Sequence, residues 1–137
     1  MTTLPSRLGL DTGFFKRLDG GGQRAETAWA QIVEGGTTGI ISCVTIFELQ
    51  KLGLRGVIEK QAVESLTEEL HHLCQIIWLT ENSLIRRAAR ISHGNNIAMA
   101  DALILTSLME ADAEHIYTTD TDFERYEAGP ADIVLLR

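Results

Sequence analysis

Four carboxylates are distinguished by where they sit in the sequence: Asp11, Glu48, Asp101 and Asp120. Asp11 closes the apolar run Leu8-Gly9-Leu10 and is followed by Thr12-Gly13, which puts it at the carboxyl edge of a strand. An Asp that merely caps the following turn has the same context. Asp120 closes Ile116-Tyr117-Thr118-Thr119 in the same manner, with Asp122 two residues on and Phe123 as an apolar anchor. Asp101 lies in Ile97-Ala98-Met99-Ala100-Asp101-Ala102-Leu103-Ile104-Leu105, apolar on nearly every side, as a buried helix is. An ionised carboxylate there is costly without a partner or a metal, and that segment holds no Lys or Arg. The competing reading is a first-turn Asp favoured by the helix dipole, with Asn95 or Asn96 as the cap. Glu48, in Val44-Thr45-Ile46-Phe47-Glu48-Leu49, belongs to a short helix opened by Ser42 or Thr45, where a solvated-face Glu is equally ordinary.

Asp and Glu without His or Cys form the ligand set of hard, oxygen-seeking ions, chiefly Mg²⁺ or Mn²⁺. Such ions serve phosphoryl chemistry, where a metal pair activates water and stabilises the leaving oxygen of a phosphodiester. Thr12 and Thr118 carry hydroxyls able to orient a carboxylate, although both also suit strands as β-branched residues. Lys16 and Arg17 follow Asp11 closely and are placed to meet substrate phosphates. Arg86, Arg87 and Arg90 read as a solvated helix face. His71, His72, His93 and His115 show no ligand spacing, and Met99 and Met109 read as helix core.

The elements that must position these groups alternate. Strand-sized apolar runs occur at Leu8 to Leu10, Gly39 to Ser42, Ile76 to Leu79, His115 to Thr118 and Ile133 to Leu136. Helical patterns occur at Ala25 to Glu34, Thr45 to Gly53, Val57 to Leu73, Ser83 to Ser92 and Ile97 to Ala111. Asp19-Gly20-Gly21-Gly22 reads as a loop. In the clearest helix, Ile58, Ala62, Leu66, Leu70 and Leu73 share a face opposite Glu59, Lys60, Glu64 and Glu68. Alternation of this kind gives an α/β fold, a mostly parallel sheet of four to five strands with helices on both faces. Ligands then bind beyond the carboxyl ends of the strands, where Asp11 and Asp120 fall.

At 137 residues the chain is expected to form one domain, residues 1–137, with 45% hydrophobic residues sufficient for a core. No stretch reaches the roughly 20 apolar residues of a membrane span, and the N-terminus lacks the apolar centre of a signal peptide. A cytoplasmic protein with two buried, reduced thiols, Cys43 and Cys74, is the expectation. The net charge of −7 argues against nucleic acid only until bound cations are counted, since they invert the local charge.

Four segments together resemble the PIN-domain nucleases, and among them the small VapC-type toxins: Leu10-Asp11-Thr12-Gly13-Phe14-Phe15, Ser42 to Leu49, Ala100-Asp101-Ala102-Leu103-Ile104, and Thr118-Thr119-Asp120-Thr121-Asp122-Phe123. The resemblance implies a Mg²⁺- or Mn²⁺-dependent endoribonuclease, commonly a homodimer, held inactive by a cognate antitoxin inserted in its groove. It carries the metal and catalytic roles to Asp11, Glu48, Asp101 and Asp120, with Asp122 accessory. One departure is Gly13, where that family often has Asn two positions after its first Asp. Two other readings compete. A non-catalytic PIN-like binding or scaffold protein would have no need of buried, mutually repelling acids. An aspartic protease is suggested by the triplet Asp11-Thr12-Gly13, but its almost wholly β fold conflicts with the helical patterns.

Overall fold

The computed structural model describes residues 3–126 and 129–137. Among them the chain alternates as read: β1 (Arg7–Leu10), α1 (Thr12–Asp19), α2 (Gln23–Glu34), β2 (Thr38–Ser42), α3 (Cys43–Leu54), α4 (Lys60–Leu73), β3 (Cys74–Ile77), α5 (Asn82–Asn95), α6 (Met99–Glu110), β4 (His115–Thr118), a 3₁₀ turn (Thr121–Arg125) and β5 (Asp132–Leu135). The five strands form one sheet in the order β3-β2-β1-β4-β5, and every neighbouring pair is parallel. β1 is central. The chain winds outward through β2 and β3, then returns to lay β4 on the other side of β1, so the direction of winding switches between β1 and β4.

The two-residue period of the strands explains the layers. Leu8, Leu10, Ile41 and Tyr117 enter one core with Phe14, Phe15, Ala28, Ile32 and Leu70. Ile40 and Ile116 enter the other with Ile91, Ile104, Leu105 and Leu108. Strands covered on both faces read as continuous apolar runs, which is why Gly39 to Ser42 and His115 to Thr118 were legible. α6 buries Ala102, Ile104, Leu105, Thr106, Ser107, Leu108 and Met109, which accounts for its lack of a polar stripe.

Gly9 is glycine because side chains from α6, β4 and the turn before β4 close over it: a Cβ there would lie 3.1 Å from Leu108 Cδ1, 3.2 Å from Ala113 Cβ and 3.2 Å from Ile116 Cγ1. Gly9→Val is therefore expected to lower unfolding stability by about 1–3 kcal/mol through overpacking, read as a shifted urea midpoint.

Several boundaries differ from the sequence reading. β3 begins at Cys74, two residues before the apolar run Ile76 to Leu79, because α4 runs straight into the strand and the Gly39↔Cys74 and Ser42↔Ile77 pairs set its register. Trp78 lies beyond the strand, half exposed. α4 starts at Lys60 rather than Val57: Gly56 takes a left-handed turn (φ 74°), although Ile58 still reaches the core. α1 has no counterpart among the expected helices, since two aromatics followed by Lys-Arg in eight residues give too short a period to register. Asn96 ends α5 in the left-handed region (φ 52°), so neither it nor Asn95 caps α6, which opens at Ala98 without a side-chain cap. Cys43 and Cys74 are unpaired but only half-buried. No helix among the described residues is long and apolar enough to cross a membrane.

Candidate active site

Asp11, Glu48, Asp101 and Asp120, up to 109 positions apart in sequence (120 less 11), line one cleft of about 600 Å³ at the carboxyl edge of the sheet. Asp11 and Asp120 arrive on β1 and β4, the strands that flank the switch of winding direction. Glu48 arrives on α3 and Asp101 on the first turn of α6. The helices are held together by a buried chain of hydroxyls. Ser42 Oγ caps α3 by accepting from Val44 N–H at 3.1 Å and lies 2.8 Å from Ser107 Oγ, while the Ser107 hydroxyl donates to Leu103 O at 2.9 Å. With that proton engaged, the bond between the two serines runs from Ser42 to Ser107, and it ties the helix of Glu48 to the helix of Asp101.

Asp11 is both cap and cleft residue, so the two readings of it were not exclusive. Its Oδ1 accepts from Phe14 N–H at 2.9 Å, which opens α1, and its Oδ2 accepts from Thr118 Oγ1 at 2.5 Å. Thr12 Oγ1 donates to Glu48 Oε1 at 2.5 Å and lies 3.3 Å from the fully buried Thr45 hydroxyl. Both threonine hydroxyls thus fix a carboxylate. Asp120 is held by Thr118 Oγ1 on its N–H (2.9 Å) and caps the 3₁₀ turn through Asp122 N–H (2.8 Å).

The electrostatics reflect acids gathered without counterions. Among the described residues no Lys or Arg forms an ion pair with Asp11, Glu48, Asp101 or Asp120; Asp122 alone is paired, with Arg125 at 3.1 Å. Burial pushes the Asp101 carboxyl up to about 7, and the neighbouring Asp120 adds both repulsion and a hydrogen bond to the protonated form. Burial likewise raises Asp11 to about 6, against the lowering pull of Thr118 and the Phe14 amide.

Asp101, Asp120 and Asp122 each offer one carboxylate oxygen, all within 4.8 Å of one another. Three carboxylate oxygens so gathered match a small hard cation in number and type; Asp11 and Glu48 line the same cleft but stand outside this trio.

Lys16 lines the cleft; Arg17, the next residue of α1, does not. Arg86 and Arg90 are exposed and Arg87 reaches Glu110 at 3.8 Å, a solvated face as read. The cleft also holds residues the sequence did not single out: Phe47 and Lys51, one turn apart on α3, and Arg55 at its C-terminal cap, with Lys51 Nζ 5.9 Å from the Phe47 ring centre. Their spacing of four was the available signal. Met99 was read as helix core and is instead 73% exposed on the cleft wall, because it occupies the first position of α6, ahead of the turn that packs on the sheet. Met109 is buried as expected. Asp11-Thr12-Gly13 leads into a helix beneath a parallel sheet, which removes the aspartic protease reading.

No curated protein sequence matches the chain. Among solved structures it is similar to VapBC2 from Rickettsia felis bound to a promoter DNA fragment (TM-score 0.70, 16% identity, 93% of this chain and 97% of that one). It is similar also to a toxin–antitoxin complex from Klebsiella pneumoniae (0.69, 21%, 95% and 98%). A third similar structure is Mycobacterium tuberculosis VapC20, a toxin that cleaves the sarcin–ricin loop (0.66, 20%, 85% and 92%). The family model described as the PIN domain matches residues 10–129, a span that contains every acid of the cleft, and this chain therefore belongs to the PIN domain family.

Proposed function

We propose that this chain is a divalent-metal-dependent endoribonuclease that hydrolyses RNA phosphodiester bonds, and that it is the toxin of a type II toxin–antitoxin pair. The observation that carries this reading is the meeting in one cleft of four acids from four separate parts of the chain, none of them in an ion pair among the described residues. A family of nucleases and two similar structures that are toxin–antitoxin assemblies support it.

Asp11, Glu48, Asp101 and Asp120 would hold the metal, Mg²⁺ or Mn²⁺, with Asp122 accessory through the carboxylate it shares with Arg125. When bound, the cation supplies a Lewis acid that activates water and neutralises charge developing on the phosphate. Thr118 and Thr12 keep the Asp11 and Glu48 carboxylates in fixed rotamers, so the ligand set needs little reorganisation. The raised proton affinity of the Asp101 carboxyl belongs to the metal-free cleft, and cation binding at that group would release the proton. Lys16 on one wall and Lys51 and Arg55 on another meet the phosphates of the bound strand, with Arg17 beside Lys16 for phosphates further along. A cognate antitoxin would cover this cleft, the active form would be a homodimer, and an RNA target fits work in the cytoplasm.

Purified protein incubated with total RNA is expected to give discrete cleavage products with Mn²⁺ or Mg²⁺, none with EDTA, and products again when the metal is restored. No cleavage with either metal would favour the non-catalytic binding or scaffold reading instead.

A further inference from the structure

Gly13 sits in the first turn of α1 and is buried, yet it is absent from the glycines with positive φ, so its backbone does not call for glycine. Glycine inside a helix is a destabilising choice. The reason for it here is space. A Cβ at position 13 would overlap Thr119 Oγ1, and would lie 3.1 Å from Thr119 Cβ and 3.3 Å from Asp11 Oδ1. Rotation of the Thr119 side chain would move the hydroxyl out of the overlap and leave a tight 3.1 Å contact with its Cβ, so a side chain at position 13 displaces the hydroxyl from its place. Thr119 lines the cleft between the strand end and Asp120. The other two threonine protons at the site are engaged, Thr12 on Glu48 and Thr118 on Asp11. The Thr119 side chain makes no hydrogen bond among the described residues, which leaves a free hydroxyl donor on the cleft wall next to Asp11 and Asp120.

We propose that Thr119 is a substrate-binding residue whose hydroxyl donates to a non-bridging phosphate oxygen of the scissile linkage, and that Gly13 is glycine to leave that hydroxyl its place. The inference rests on the nuclease reading. A phosphodiester entering the cleft brings anionic oxygens, and a hydrogen bond to a charged group is among the stronger ones.

The test compares metal-dependent cleavage of a fluorogenic RNA oligonucleotide by wild type, Thr119→Val, Thr119→Ser, Thr119→Ala, Gly13→Ala and the double variant Gly13→Ala/Thr119→Ala, with Mn²⁺ affinity by calorimetry and the melting temperature measured for each. Thr119→Val is expected to lose about 10- to 100-fold in kcat/KM with Mn²⁺ affinity unchanged, and Thr119→Ser to recover most of that loss. Gly13→Ala should lose activity in the wild-type background and cost markedly less once Thr119 is Ala, where the overlap with the hydroxyl is gone and only the 3.1 Å Cβ contact and the 3.3 Å contact with Asp11 remain. Wild-type rates in Thr119→Val, equal losses in Val and Ser, or additive losses in the double variant overturn the inference and leave the nuclease reading intact. A wild-type protein that cleaves no RNA with either metal overturns both.

Discussion

Asp101→Asn is expected to abolish metal-dependent RNA cleavage, by on the order of 10³-fold or more, in a protein that remains folded. Asn has nearly the shape of Asp, and position 101 lies in the first turn of α6 with its backbone held by that helix, so the packing of Ala102 to Met109 is undisturbed. What the substitution removes is a hard anionic ligand from the group formed with Asp120 and Asp122. It also removes the repulsion between Asp101 and Asp120. The metal-free variant is therefore expected to melt at a temperature no lower than wild type at pH 8, which separates loss of ligand from loss of fold. Cleavage at the wild-type rate in Asp101→Asn would sink the assignment of the site.

The metal-free protein should lose stability as pH rises, against the usual behaviour of acids paired in native proteins. The folded-state values of about 6 for Asp11 and about 7 for Asp101 lie above the ordinary carboxylate value of 3.8. In that window the folded protein binds more protons than the unfolded chain, so the associated stability is fully present below about pH 4 and disappears as pH climbs through 6 to 7. The melting temperature in EDTA should accordingly fall from pH 5 to pH 8, with the background titration of other groups taken from the Asp11→Asn/Asp101→Asn double variant. Divalent metal reverses the trend because it takes the deprotonated ligands. At pH 8 and a metal concentration a hundredfold above Kd the melting temperature should rise by on the order of 10 °C, while at pH 5 the rise should be small. Scanning calorimetry at the two pH values reads both effects. A metal-free protein more stable at pH 8 than at pH 5, relative to that variant, would show that the fold does not raise the proton affinity of Asp11 and Asp101.

Much of the architecture was legible because parallel strands covered on both faces become short apolar runs. The runs ending in Asp11 and Asp120 gave the strand ends, and the apolar surroundings of Asp101 set that acid apart, although its side chain is only half-buried because it lies in the first turn of α6 at the cleft. Glu48 had no such signature: half-buried on a helix with an exposed Phe47 beside it, its significance lies in the Thr12 hydroxyl that grips it, 36 positions away. The bounds of β3 and α4 were misjudged because both are set by pairing with β2 and by the turn at Gly56, neither of which local apolarity records.

The sequence by itself determined the alternation of strand and helix and the parallel class of sheet, and it singled out Asp11, Asp101 and Asp120 by their surroundings but not Glu48, since these follow from side-chain periods of two and 3.6 and from the chemistry of carboxylates. Only the tertiary structure decided that those acids share one cleft, that Met99 faces it and Arg17 does not, and that Gly13 makes room for Thr119. The physical reason is distance along the chain: proximity of residues as far apart as Asp11 and Asp120 is fixed by the order in which strands join the sheet, and the raised proton affinity of Asp11 and Asp101 is a property of that meeting.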